Sequence, residues 1–174
     1  CRTIEEIALL AKDNLEVMTP RDMAGFWSAV PRLLNERIRS GQMQESVSQD
    51  LELIVVHTLE NIDSFGVREL AQTALGMAKI VKSLNIGRSL RSPFQSVHDL
   101  FIGTESQSKQ FMFGSIESAT MPVIQQFDAR CLSNLIYAYS LAEYAPQFED
   151  GRNLFDVLAI EVIPKLEEFS PQGL

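Results

Sequence analysis

Four times along its 174 residues this chain repeats one short device: an apolar residue, a helix-capping residue, and a second apolar residue four places after the cap. The instances are Met18-Thr19 with Met23, Phe65-Gly66 with Leu70, Phe127-Asp128 with Leu132, and Phe169-Ser170 with Leu174. Thr, Asp and Ser at the middle position accept a hydrogen bond from the free amides of a first helical turn, Gly is tolerated there, and the flanking apolar pair closes as a hydrophobic staple. Pro20 and Pro171 supply pre-organised first helical residues. Starts separated by 47, 62 and 42 residues predict an α-helical repeat array rather than a single globular core.

A second match comes from reading backwards. The positions 14, 11 and 3 residues before each staple residue are Ile4, Ile7 and Leu15; Leu51, Ile54 and Ile62; Phe113, Ile116 and Ile124; and Phe155, Leu158 and Leu166, all apolar. These offsets trace one face of a helix, so each unit is a first helix, a connection and a second helix. Pro122 and Pro164 fall at one register position in two second helices, where each is expected to kink its helix. The predicted fold class is therefore all-α, an α-solenoid of antiparallel helix pairs with no sheet. Its units are 1–17, the second helix of a preceding repeat; 18–64; 65–126, carrying an insertion at about 85–110; 127–168; and 169–174, the start of a further repeat. This register reads as a segment of a longer array. Within the Ser- and Gln-rich insertion, 95–101 is expected to form a short extra helix.

Composition fits a packed domain, with 45% hydrophobic residues, 9 Gly and 7 Pro. No apolar run approaches the roughly 18 residues of a membrane span, so no membrane partner is expected, and no secretory or targeting signal opens the chain. Two cysteines argue against a disulfide framework or a zinc cage, and Cys131 reads as a small packing residue. Phosphate-binding, dinucleotide-binding, nucleophile-elbow and zinc-protease motifs are all missing, so neither catalysis, cofactor nor metal is expected. His57 reads as a packed or surface residue in a second helix, and His98 as a loop residue of the insertion.

At the first helices a resemblance becomes specific. Phe127-Asp-Ala-Arg-Cys-Leu-Ser-Asn-Leu-Ile-Tyr-Ala-Tyr-Ser, together with Phe169-Ser-Pro-Gln-Gly-Leu174, resembles the Phe-x-Pro-Gln-x-Leu-Ser-Asn-x-x-Trp/Tyr-Ala-x-Ala signature of octotricopeptide-repeat and FAST-kinase-domain proteins. The starts at Met18 and Phe65 keep the pattern more loosely. The resemblance implies an organellar RNA-binding α-solenoid of the kind that often ends in a RAP domain. It further implies a role in chloroplast or mitochondrial RNA processing, stability or translation, with single-stranded RNA as partner. A protein-interaction scaffold of armadillo or HEAT type is the alternative.

The residues behind such a function would lie on the first helices. Arg21, Arg68 and Arg130 share the second helical position, where a cation opposes the helix dipole by about 0.3–1 kcal/mol and so needs a compensating partner. That partner is either an acid at the end of the preceding helix or an RNA phosphate. Four residues on, Gly25, Gln72 and Asn134 are equivalent; the two amides either read base edges or bond between helices. Lys79 and Lys82 extend the cationic set. Ala24, Ala71 and Ser133, with Ala29, Gly76 and Ala138, are expected to let neighbouring helices approach closely. Trp27, Tyr137, Tyr139 and Phe26 read as core aromatics, with base stacking as the competing role for Trp27 and Tyr137.

The net charge of -8 argues against indiscriminate nucleic-acid binding, but the charges are segregated. Over 18–43, 65–91 and 127–152 there are 11 basic against 7 acidic residues; the remainder holds 4 against 16. The second-helix layer is thus strongly acidic, which suits it to other protein partners.

Overall fold

The computed structural model describes residues 3–40, 45–86, 95–102 and 111–169. Eight α-helices are seen among them: α1 (Ile4–Asp13), α2 (Pro20–Ser40), α3 (Glu45–Asn61), α4 (Val67–Ile86), α5 (Gln95–Ile102), α6 (Met112–Thr120), α7 (Ala129–Leu141) and α8 (Leu154–Val162). The described residues contain no strand, only an isolated bridge between Gln147 and Asn153. Three helices start one residue after Thr19, Gly66 and Asp128, as the staples require. The start expected at Ser170 lies outside the described residues, as do 87–94 and 103–110 of the insertion.

Capping chemistry explains why the starts fall there. Asp128 accepts a hydrogen bond from the Cys131 amide at 2.7 Å. Thr19 and Asp22 cap α2 reciprocally: the Asp22 amide donates to Thr19 Oγ1 at 3.3 Å, and the Thr19 amide donates to the Asp22 carboxylate at 3.0 Å. Gly66 offers no side-chain acceptor; its carbonyl accepts the Leu70 amide at 3.0 Å, and Glu69 places an acid in the first turn of α4.

Each second helix tightens at its end into a 3-10 turn: Leu15–Val17, Ile62–Ser64, Met121–Gln126 and Ile163–Glu168. The staple residue follows in extended conformation every time, and its amide donates to the carbonyl three residues before it at 3.1–3.2 Å. The kinks expected at Pro122 and Pro164 take this form. A ring without an N–H suits the start of a tighter turn, and the two Pro-bearing turns run six residues where the other two run three.

Packing follows the register. α2 lies on α4 and α4 on α7, while α1 packs on α2 and α3, and α3 on α5 and α6. Trp27 is fully buried; its indole N–H donates to Thr58 Oγ1 on α3 at 3.0 Å, and that hydroxyl donates to the Ile54 carbonyl at 2.7 Å. Edge-to-face contacts hold its ring against Phe26 and, from the insertion helix α5, Phe101. Helix α5 therefore contributes to the core, and residue His98 belongs to this helix rather than to a loop.

Among the small residues, Ala24, Ala71, Gly76 and Ala138 are buried, and Ser133 and Ala29 are half-buried. A Cβ on Gly76 would stand 2.2 Å from the Trp27 carbonyl oxygen, so α2 and α4 meet main chain to main chain. Tyr139 and Phe26 are buried as expected. Tyr137 is not. It is 53% exposed, because α7 buries Leu135, Ala138 and Tyr139 and turns the residue between them to the outside.

Candidate nucleic-acid interface

The register that places Arg21, Arg68 and Arg130 at the second residue of α2, α4 and α7 extends along each helix at alternating spacings of four and three. On α2 the line runs Arg21, Gly25, Ser28, Arg32, Asn35, Arg39; on α4, Arg68, Gln72, Leu75, Lys79, Lys82; on α7, Arg130, Asn134, Tyr137, Leu141. Every one of these side chains is exposed or half-exposed, whereas most other residues of α4 are buried. Such spacing keeps a line on one face of a helix, so each first helix presents a single open stripe.

Two observations join the stripes. The Gln72 side-chain amide donates to Ser28 Oγ at 2.8 Å, and Ser28 donates to the Ala24 carbonyl at 3.0 Å, which ties the α4 stripe to the α2 stripe. At the other junction the charges of both Arg68 and Arg130 reach the carboxyl of Asp128 and the thiol of Cys131. The Asp128 carboxyl is held below the usual aspartate range, chiefly by its hydrogen bond from the Cys131 amide, with the two guanidinium groups adding to the effect. The Cys131 thiol is pushed up to about 11, mainly by burial and secondarily by Asp128. It is a packing residue and no nucleophile at neutral pH.

Among the described residues, Arg21, Arg68, Arg130, Lys79 and Lys82 form no ion pair. The acids at the ends of the preceding helices do not take up the arginines, and five cations on these stripes remain available. The amides divide. Gln72 makes the interhelical bond that sequence left open as one of its two roles, with its carbonyl oxygen unengaged, while Asn134 has no hydrogen-bond partner among the described residues. Trp27, sealed in the core, offers no stacking surface; Tyr137 does.

Sequence reasoning missed Arg32 and Arg39. Both continue the Arg21 line, at eleven and eighteen residues from it, and following the four-three spacing past the first turn would have found them. Arg32 is bridged to Glu36 at 3.0 Å with both side chains well exposed, a pairing worth little in water. His57 is half-buried beside Asn61 on α3, away from this surface.

Elsewhere, a groove of about 420 Å³ is lined by Met121, Ile124, Phe148 and Arg152 among others, and one of about 380 Å³ lies between α1 and α2. Among the described residues no set of three His, Cys, Asp or Glu side chains is placed to hold a metal ion, and no helix is long and apolar enough to cross a membrane. No family model, curated protein or solved structure matches this chain.

Proposed function

We propose that the protein is an α-solenoid of antiparallel helix pairs, of the octotricopeptide and FAST-kinase-like kind, that binds single-stranded RNA along its first-helix stripes. On this reading it serves RNA processing, stability or translation in a chloroplast or mitochondrion. The antiparallel arrangement is supported by two cross-helix contacts. Arg37, near the end of α2, is 2.7 Å from Glu5 at the start of α1, and Trp27, early in α2, bonds to Thr58 late in α3.

The observation that supports the RNA reading is the run of adjoining stripes on which Arg21, Arg68, Arg130, Lys79 and Lys82 form no ion pair among the described residues. Arg21, Arg68 and Arg130 supply one guanidinium per helix, suited to bidentate contact with phosphate, and Lys79 and Lys82 add point charges along the middle helix. Between the cations lie the groups that recognise bases: the amides of Gln72 and Asn134 for polar edges and the open ring of Tyr137 for stacking.

Fluorescence anisotropy with labelled random single-stranded RNA across a salt series tests this. Affinity should fall with salt at a slope of about 0.7 per neutralised phosphate. Replacing Arg68, Lys79 and Lys82 with Ala should lower affinity and flatten that slope, whereas replacing Glu60, Glu161 and Glu167 should leave the slope nearly unchanged. Gln72→Ala and Asn134→Ala should change base preference more than total affinity. Absence of RNA binding at low salt overturns the reading.

A further inference from the structure

The outward faces of the second helices carry the opposite chemistry. Leu9 on α1 is 52% exposed, and Leu53 and Val56 on the adjoining α3 are 50% and 44% exposed. Leu9 and Val56 hold one register position, nine residues before the staple residues Met18 and Phe65; Asp13 and Glu60 share another, five residues before them. Leu9 and Val56 therefore sit at matching positions on two packed helices, with Asp13 and Glu60 one turn further on.

Two lysines stand on the second helices and their turns, and neither forms an ion pair with those acids. Lys12 and Lys165 are the basic residues of α1, α3, α5, α6, α8 and the 3-10 turns that follow them, and both are engaged. Lys12 is bridged to Asp50 at 2.7 Å, and the Lys165 ammonium donates to the carbonyls of Gln125 and Phe127 at 3.0 and 2.6 Å. Asp13 and Glu60 form no ion pair among the described residues.

We propose that this face docks a basic amphipathic α-helix of another protein. The apolar edge of the incoming helix covers Leu9, Leu53 and Val56, and its Lys or Arg flank meets Asp13 and Glu60. Charge selects the occupant. A second copy presenting the same face would set acid against acid, and an anionic bilayer or a nucleic acid would be repelled, while a cationic helix gains at both its apolar and its charged edge. This surface lies on other helices than the RNA stripes, and the inference stands independently of the RNA reading.

The test uses a Leu/Lys peptide of about five helical turns with leucines at three-four spacing. Its control has the same composition in scrambled order, and binding is followed by calorimetry at physiological salt. One-to-one binding is expected, with the scrambled peptide about ten-fold weaker. The double substitution Leu53→Ser with Val56→Ser leaves every charge in place and should weaken binding by a similar factor. Asp13→Asn with Glu60→Gln should weaken it several-fold and reduce its salt dependence. All four positions are at the surface, so the circular-dichroism melts of both variants should match wild type; Leu9→Ser serves as the apolar arm if the double serine variant does not fold. Equal binding of the scrambled peptide, wild-type affinity of a folded apolar-to-Ser variant, or self-association of the protein through this face would each overturn the proposal. RNA affinity of the same variants should stay at wild-type level, which separates failure here from failure of the RNA reading.

Discussion

Helix α4 makes two junctions from one pattern of small residues, and they hold by different means. Toward α2, Gly76 brings main chain against main chain at the Trp27 carbonyl, with the Gln72 to Ser28 bond alongside. Toward α7, the equivalent small residue is Ala138, and buried side chains do the packing: Leu132, Leu135 and Tyr139 of α7, backed by Phe113 on α6. The equivalent positions differ by one methyl group. Where it is missing, neighbouring helices touch through atoms that cannot rotate away; where it is present, side chains with rotameric freedom take up the space.

The largest expected effect comes from breaking the first junction. In Gly76→Val the new Cβ overlaps the Trp27 carbonyl, so α2 and α4 must separate and uncover the indole. The loss should exceed about 4 kcal/mol, most of the stability of a domain at the low end of the usual range of about 5–15 kcal/mol. Trp27 is the only tryptophan, so its emission reports the separation directly. At the second junction Ala138→Gly should cost only about 1 kcal/mol. A Gly76→Val variant with wild-type emission and melt would show that the main-chain contact does not exist.

Next in size is the staple of the second junction. Phe127 and Leu132 are both buried to within 1% of complete, and each truncation to Ala should cost about 2–5 kcal/mol. The weaker staple at the first junction, Met18 with Met23, has one partner only half-buried, and its double Ala variant should lose less in urea unfolding.

These contrasts mark what was legible in the sequence. Helix starts were readable because capping and stapling are local: Thr19 with Asp22 and Asp128 with Cys131 close within four residues. The insertion helix at 95–101 could be placed by pattern, but that Phe101 reaches Trp27 is a tertiary fact that no local rule contains. Tyr137 was misplaced by one residue of helical phase. Trp27 aligns with Ile136, and a 100° rotation separates a half-buried side chain from an open one. Arg21, Arg68 and Arg130 were legible as a set, yet their freedom from ion pairs depends on how the preceding helices end. Gln72 was legible as a polar residue facing a neighbouring helix; only the approach that Gly76 permits made Ser28 its partner.

A smaller effect separates the buried polar groups of the two junctions. The Trp27 indole N–H is satisfied by Thr58, whereas the equally buried Tyr139 hydroxyl makes no hydrogen bond of good geometry among the described residues, with the Thr120 hydroxyl beside it as its weak polar neighbour. Trp27→Phe should cost about 2 kcal/mol or more, through a lost hydrogen bond and lost volume. Tyr139→Phe removes a desolvated hydroxyl and should leave stability unchanged or raise it slightly, since no well-formed bond is lost with it. A drop of more than about 1 kcal/mol in Tyr139→Phe would reveal a hydrogen bond at this hydroxyl.

The smallest effect concerns how the two packed helices begin. Helix α4 starts at Gly66, which has nothing to titrate, while α7 starts at Asp128, whose carboxylate accepts from the Cys131 amide and feels Arg68 and Arg130. Asp128→Ala should cost about 1 kcal/mol at neutral pH. Folding lowers the proton affinity of this carboxyl, so the cap's charge-dependent contribution is complete above the ordinary aspartate range. It is lost as the pH falls through the depressed value, because the protonated form is favoured by the unfolded chain. Wild type and Asp128→Asn should therefore differ most near neutral pH and converge in strong acid, with thermal melts at a series of pH values as the measurement. Arg68→Gln removes one of the cations that hold the carboxyl charged, so in that background the convergence should be complete at a higher pH. An unchanged pH profile in Arg68→Gln would mean that the start of α4 does not reach the start of α7, and that the arginines of the two stripes stand apart rather than on one surface.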